Sequence, residues 1–143
     1  MIRIERFKVK ESPDLAEKAF SIRREVFVVE QFVDPELEYD EFEDISTHYL
    51  LFEDDVPVAT ARWRVTDNGI KLERFATLKN YRNRGIGNKI LDQLMNDVID
   101  MQQPIYLNSQ VSAVSFYVRN GFVQEGEMFE EANIQHYKMT FRP

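Results

Sequence analysis

Arg82-Asn83-Arg84-Gly85-Ile86-Gly87 separates an extended apolar stretch from a strongly amphipathic helical one, and the fold is read from that junction. A loop of small residues entering a helix leaves backbone N–H groups without intrahelical partners, and the helix dipole adds partial positive charge at the same spot. An anion is the natural ligand there. Gly85 and Gly87 have no Cβ to hold an oxyanion away, and Arg82 and Arg84 can add charge-assisted hydrogen bonds. Downstream, Ile86, Ile90, Leu91, Leu94, Met95, Val98 and Ile99 recur at helical spacing before Pro104, which predicts a helix over residues 85–101. Taken alone, a glycine pair before a helix is equally consistent with a tight, closely packed turn. Two phosphate loops are excluded by spacing: no Gly-Lys-Ser/Thr follows, and the third glycine of a dinucleotide fingerprint would fall on Ile90.

Working outward, residues 48–53, 56–66 and 70–78 read as strands, and the turn-forming Asp54-Asp55 and Asp67-Asn68-Gly69 make them an antiparallel meander. Residues 2–9 alternate as a first strand. Ser12-Pro13-Asp14 supplies an N-cap and a first-turn proline for a helix carried by Leu15, Ala16, Ala19, Phe20, Ile22, Arg23 and Val26 toward Phe27. The acidic stretch 34–44 reads as a short helix or loop over the domain. A strand at 105–108, a helix at 113–119 ending on a left-handed Gly121, and strands at 122–125 and 134–141 complete the chain. In segment 70–78, Ile70, Leu72 and Ala76 share one parity with charged Arg74; a local kink, or a sheet covered on both faces, accounts for it.

With 143 residues, 43% of them hydrophobic and eleven of them Phe, the chain fits one α/β domain spanning 1–143. A net charge of −7 argues against nonspecific nucleic-acid binding and favours a cationic partner. The charged N-terminus, Met1-Ile2-Arg3-Ile4-Glu5-Arg6, does not read as a signal peptide, and no run reaches membrane-spanning length, so a cytoplasmic protein without membrane partners is expected. No cysteine is present to serve as nucleophile or metal ligand. His48 and His136 are far apart and no His-Glu-x-x-His surrounds either, so no metal is expected.

The element order, with a phosphate loop before its central helix, resembles the GNAT superfamily of N-acetyltransferases. Arg82-x-x-Gly85-x-Gly87 is similar to that family's pyrophosphate motif, and Ala113-Val114-Ser115-Phe116-Tyr117-Val118-Arg119-Asn120-Gly121-Phe122 resembles its Ala-x-x-Phe-Tyr-x-x-x-Gly-Phe segment. Arg24-Glu25-Val26-Phe27-Val28-Val29-Glu30-Gln31, Gly126-Glu127-x-Phe129 and Ile134-x-His136 look like the ElaA-like branch. Two positions depart from the family pattern: Gln110 stands where many members have Asn, and Asn83 where many have Gly.

The resemblance implies a GNAT-type acyl-CoA N-acyltransferase fold, with a mixed central sheet of six to seven strands flanked by helices. It also implies acetyl-CoA as co-substrate. Its pyrophosphate would rest on the backbone of Asn83, Arg84, Gly85, Ile86, Gly87 and Asn88, its adenosine end near Arg82 and Arg84, and its pantetheine arm along Phe75, Ala76 and Thr77, with Asn108 and Tyr117 completing the coenzyme site. Tyr117 would serve the departing thiolate, and a backbone N–H at Phe75 or Ala76 would polarise the thioester carbonyl. Glu73 is the expected base, directly or through water, its alternative being an ion pair with Arg74, Arg62 or Arg64. Glu30, Asp44 and Glu127 are weaker candidates for an acceptor pocket, as are His136 and His48 for proton transfer. Ser109, Ser112 and Ser115 lack a Gly-x-Ser-x-Gly elbow, so direct attack by an amine is favoured over an acyl-enzyme. The function implied is acetylation of a primary amine of a small molecule in a ternary complex. A non-catalytic coenzyme-binding module, a protein-modifying acetyltransferase, and a homodimer stay open at this point.

Overall fold

Asp67-Asn68-Gly69 closes a hairpin whose register fixes the centre of the sheet: Thr66 faces Gly69, Trp63 faces Leu72 and Arg62 faces Glu73. In the computed structural model, which describes residues 1–142, this hairpin joins β3 (Val56–Thr66) to β4 (Gly69–Thr77). With β1 (Ile2–Phe7), β2 (Thr47–Glu53), β5 (Ile105–Gln110), β6 (Phe122–Glu131) and β7 (Ile134–Phe141), it forms a seven-stranded sheet of order β1-β2-β3-β4-β5-β7-β6. Only β4 and β5 run parallel. A parallel pair needs a crossover, and α3 (Ile86–Val98) supplies it.

The apolar stripe of α3 packs as its spacing predicts. Ile86, Ile90, Leu91, Leu94 and Val98 are buried against Tyr49, Ala61, Ile70 and Leu72 on one face of the sheet. Each such side chain contributes roughly 1.5–3 kcal/mol of transfer free energy. The other face is covered by α1 (Pro13–Arg23), whose Ala16, Ala19 and Ile22 meet Leu50, Phe52 and Ala76. Ser12 is the N-cap with Pro13 behind it, although the Ser12 hydroxyl makes no capping bond.

Three segments depart from the expected boundaries. Beyond Arg23 the first helix widens into π-helical turns over Arg24–Glu30, where β-branched Val26, Val28 and Val29 weaken α geometry. The acidic stretch forms only α2 (Pro35–Glu38), capped by the Asp34 carboxylate, and then turns. β6 runs to Glu131 rather than ending at 125; Gly126, at φ +79°, accompanies a register break between Glu125 and Phe129, so the acidic edge strand lacks clean alternation.

Candidate active site

The β4–β5 ladder is short. It pairs Ile70 with Ile105, Lys71 with Tyr106 and Leu72 with Leu107, and then the strands part. From Glu73 to Thr77 the β5-facing edge of β4 has no strand partner, which leaves backbone donors and acceptors for an extended ligand. The parting coincides with a bulge: Arg62 faces Glu73 but Thr60 faces Ala76, and Arg74 adopts φ +58°. One extra residue reverses the parity, so Leu72 packs under α3 while Ala76 packs under α1. This resolves the irregular alternation of the strand as a kink in a sheet covered on both faces.

A cavity of about 790 Å³ opens in the gap, within the range of small-molecule sites. Phe75, Ala76, Thr77 and Asn108 line it, as do Arg82, Asn83 and Gly87 at the phosphate-loop end. Arg84, Gly85, Ile86 and Asn88 lie outside its lining. Gly85 caps α3 at φ +78° with no side-chain capping bond, and Asn83 is left-handed at φ +63°. The N–H groups of Ile86, Gly87 and Asn88 have no intrahelical acceptor, and among the described residues none is supplied from elsewhere. Both loop arginines are held by carboxylates: Arg82 donates to Thr77 O at 2.9 Å and to Glu30 at 2.8 and 2.9 Å, and Arg84 donates to Glu53 at 2.8 Å. The expected acceptor-pocket role of Glu30 is therefore corrected to that of a counter-ion for Arg82.

Tyr117 sits on α4 (Val114–Arg119), which contributes Ser115, Phe116, Tyr117 and Arg119 to the cavity wall. Its ring is wedged edge-on against Phe75, Phe116 and Phe122 at centroid distances of 5.9, 5.0 and 5.8 Å. Burial raises the phenol above its ordinary pKa, so the hydroxyl keeps its proton and is a hydrogen-bond donor at neutral pH. That hydroxyl makes no hydrogen bond among the described residues, yet it is not sealed from the cavity.

Glu73 takes the ion-pair alternative. Its carboxylate accepts from Arg62 at 2.9 Å and Arg64 at 2.8 Å, with Lys71 at 3.3 Å, while Arg74 turns away. Burial alone would raise this carboxyl, but the Arg64 hydrogen bond and the charges of Arg62 and Lys71 outweigh it and hold it below the usual carboxylate range. A carboxylate so stabilised is a poor proton acceptor, and its contacts are those of the ion-pair alternative.

Sequence reasoning missed the rest of this network. Arg62 also meets Asp40 at 2.7 Å and Glu43 at 2.8 Å, Arg23 is enclosed by Glu38 and Glu43, and Arg74 donates to the Glu38 carbonyl at 3.1 Å and to Asp40 at 3.2 Å. Glu38, Asp40 and Glu43 thus clamp segment 34–44 onto α1 and the meander as counter-ions. The hairpin register made the Arg62–Glu73 contact legible; nothing local marks Asp40 as its partner. A second missed contact spans the cavity wall, where Gln110 Nε2 donates to Gln31 Oε1 at 2.8 Å.

Other expected residues fall elsewhere. Asp44 pairs with Lys10 at the surface, and neither it nor Glu127 lines the cavity. His48 is buried against Phe7 with Nε2 2.9 Å from Glu43 O, outside the lining, whereas His136 does line it, its Nδ1 2.7 Å from Ile134 O.

A family description of an acetyltransferase (GNAT) domain matches residues 11–143. The chain belongs to the GNAT acetyltransferase family. It is 40% identical over 123 residues to the uncharacterized N-acetyltransferase YjcF of Bacillus subtilis (strain 168), covering 85% of this chain and 88% of YjcF. Escherichia coli ElaA superposes with a TM-score of 0.86 at 25% identity, over 99% of this chain and 100% of ElaA. PaiA N-acetyltransferase from Thermoplasma acidophilum, solved in complex with coenzyme A, superposes with a TM-score of 0.72 at 15% identity, over 100% of this chain and 99% of PaiA. This GNAT acetyltransferase accordingly has the mixed α+β acyl-CoA N-acyltransferase fold that its sequence resembles.

Proposed function

We propose that this enzyme transfers the acetyl group of acetyl-CoA to a primary amine of a small molecule by direct attack in a ternary complex. The observation that carries this reading is the gap between β4 and β5, whose cavity reaches Gly87 in the unpartnered first turn of α3. The coenzyme A held by the structurally similar PaiA supports the same ligand here.

In this reading the diphosphate accepts hydrogen bonds from the α3 N-terminus, with Asn83 and Gly87 shaping its seat. The pantetheine arm extends along Phe75, Ala76 and Thr77, whose free strand edge supplies main-chain partners, with Asn108 opposite on β5. The N–H of Phe75 or Ala76 donates to the thioester oxygen as it gains charge, an interaction worth about 3 kcal/mol in comparable oxyanion sites. The amine nitrogen forms a bond to the acetyl carbon, the C–S bond breaks, the leaving thiolate takes the Tyr117 hydroxyl proton, and the proton lost by the new amide nitrogen returns to the tyrosinate through water. Solvent takes the ammonium proton before attack, because the Glu73 carboxylate is already committed to three cations.

Isothermal titration with acetyl-CoA, together with a thiol-release assay over a panel of amines, tests the proposal. Saturable binding with amine-dependent thiol release is the expected result. Binding without release from any amine would support a coenzyme-binding module instead.

A further inference from the structure

The charges beside the β4 bulge do not balance. Five cationic side chains, Arg23, Arg62, Arg64, Lys71 and Arg74, share four carboxylates, Glu38, Asp40, Glu43 and Glu73. His48, within the same cluster, has its pKa pushed down to about 4 by burial and adds no charge at neutral pH. Arg64, Lys71 and Arg74 are the cations of this cluster that reach the cavity wall. Arg74 donates through Nε and Nη2 only, and Arg64 through Nε and Nη2 to Glu73 only, so each keeps an Nη1 without a hydrogen bond among the described residues. Neither Nη1 is sealed from solvent. Burial, then the neighbouring charges of Arg62 and Arg23, lowers the Arg74 pKa despite Glu73 and Asp40, the signature of an under-compensated cation.

We propose that the acceptor is a small amine that also carries a carboxylate, and that this carboxylate pairs with Arg74, which lines the same cavity as Arg64 and Lys71. The inference rests on the acetyltransferase reading above and adds the acceptor class. Arg74 immediately precedes Phe75 and Ala76, the residues assigned to the thioester carbonyl, so the anion would be held next to the reacting centre. The net charge of −7 favours a cationic partner only at long range. Screening over about 8 Å at physiological salt removes that preference inside the cavity, where contact partners decide.

The test compares thiol release for matched amines with and without the carboxylate: γ-aminobutyrate against propylamine, lysine against 1,5-diaminopentane, phenylalanine against phenethylamine. At least one carboxylate-bearing member is expected to exceed its partner in kcat/KM by about tenfold or more. Arg74→Gln should reduce that ratio to within about twofold, while Arg74→Lys keeps most of it. Should Arg74→Gln fail to fold, Arg74→Met reads the same ratio and must lower it. Equal or faster turnover of the amines lacking a carboxylate overturns the inference and leaves acetyl transfer intact. If coenzyme binds but no amine is acetylated, the transfer reading fails, and the inference is decided by titrating the coenzyme-bound protein with the N-acetylated pairs. Tighter binding of the carboxylate-bearing products supports it; equal or absent binding overturns it.

Discussion

Tyr117 and Glu73, both singled out in the sequence, lie in opposite surroundings. Tyr117 lies in a motif segment, and its surroundings leave a protonated hydroxyl with no partner of its own. Replacing it by Phe keeps the three edge-on ring contacts and removes only the donor, so Tyr117→Phe should lower kcat by about 100-fold while changing acetyl-CoA affinity by less than about twofold. Single-turnover kinetics beside calorimetric titration checks both numbers. Glu73 lies in an equally suggestive position, yet what decides its chemistry is the company of Arg62, Arg64 and Lys71, two of them from the neighbouring strand or its turn. Glu73→Gln strips buried cations of a counter-ion and should cost about 3 kcal/mol in urea denaturation. The acid limb of the pH–rate profile should stay where it is; its disappearance would restore Glu73 as the base.

At the scale of elements, the turn into α3 is where backbone conformation and ligand binding meet. A Cβ on Gly85 would contact no protein atom, so sterics inside the protein do not demand glycine there. Its φ of +78° does, at roughly 1–2 kcal/mol for a residue with a Cβ. Gly85→Val should therefore lose that much stability and weaken acetyl-CoA binding by at least about tenfold, because the added methyls enter the open side of the cradle. Thermal melts with and without coenzyme separate the two effects. Most of this architecture was legible in the sequence: the α3 stripe, the three-strand meander and its turns, and the helix ending before Gly121 all follow from local periodicity and turn chemistry. The β6 extension was not, because an edge strand exposes both faces around Gly126 and carries no alternating signal. Nor was the π-helical widening at Arg24–Glu30, which brings Phe27 and Gln31 to the cavity through packing rather than through any residue pattern.

The molecule as a whole is held together over the site by charge as well as by core. Segment 34–44 reads in the sequence as a short helix or loop over the domain; the arginines that claim Glu38, Asp40 and Glu43 lie 15–36 residues away along the chain. Such long-range pairing leaves no local trace. It does set the response to acid. His48 is pushed down to about 4 by burial, so below pH 6.5 the unfolded chain takes up a proton that the folded one refuses, and stability falls by roughly 3 kcal/mol between pH 6.5 and 4. Burial would raise Asp40, but the Arg62 hydrogen bond and charge outweigh it and hold it at about 2, so its contribution is complete above pH 3.8 and is lost as pH falls through 2. Urea midpoints against pH should show both intervals, and His48→Gln should flatten the upper one alone.

Acetyl-CoA is proposed to lie in the gap between β4 and β5 with its diphosphate on the first turn of α3. A crystal structure of the complex with acetyl-CoA measures this directly. Phosphate oxygens are expected within hydrogen-bond distance of the N–H groups of Ile86, Gly87 or Asn88, and the thioester sulfur beside the Tyr117 hydroxyl. A coenzyme bound elsewhere, or a diphosphate held only by side chains with those three N–H groups still unpaired, would contradict it.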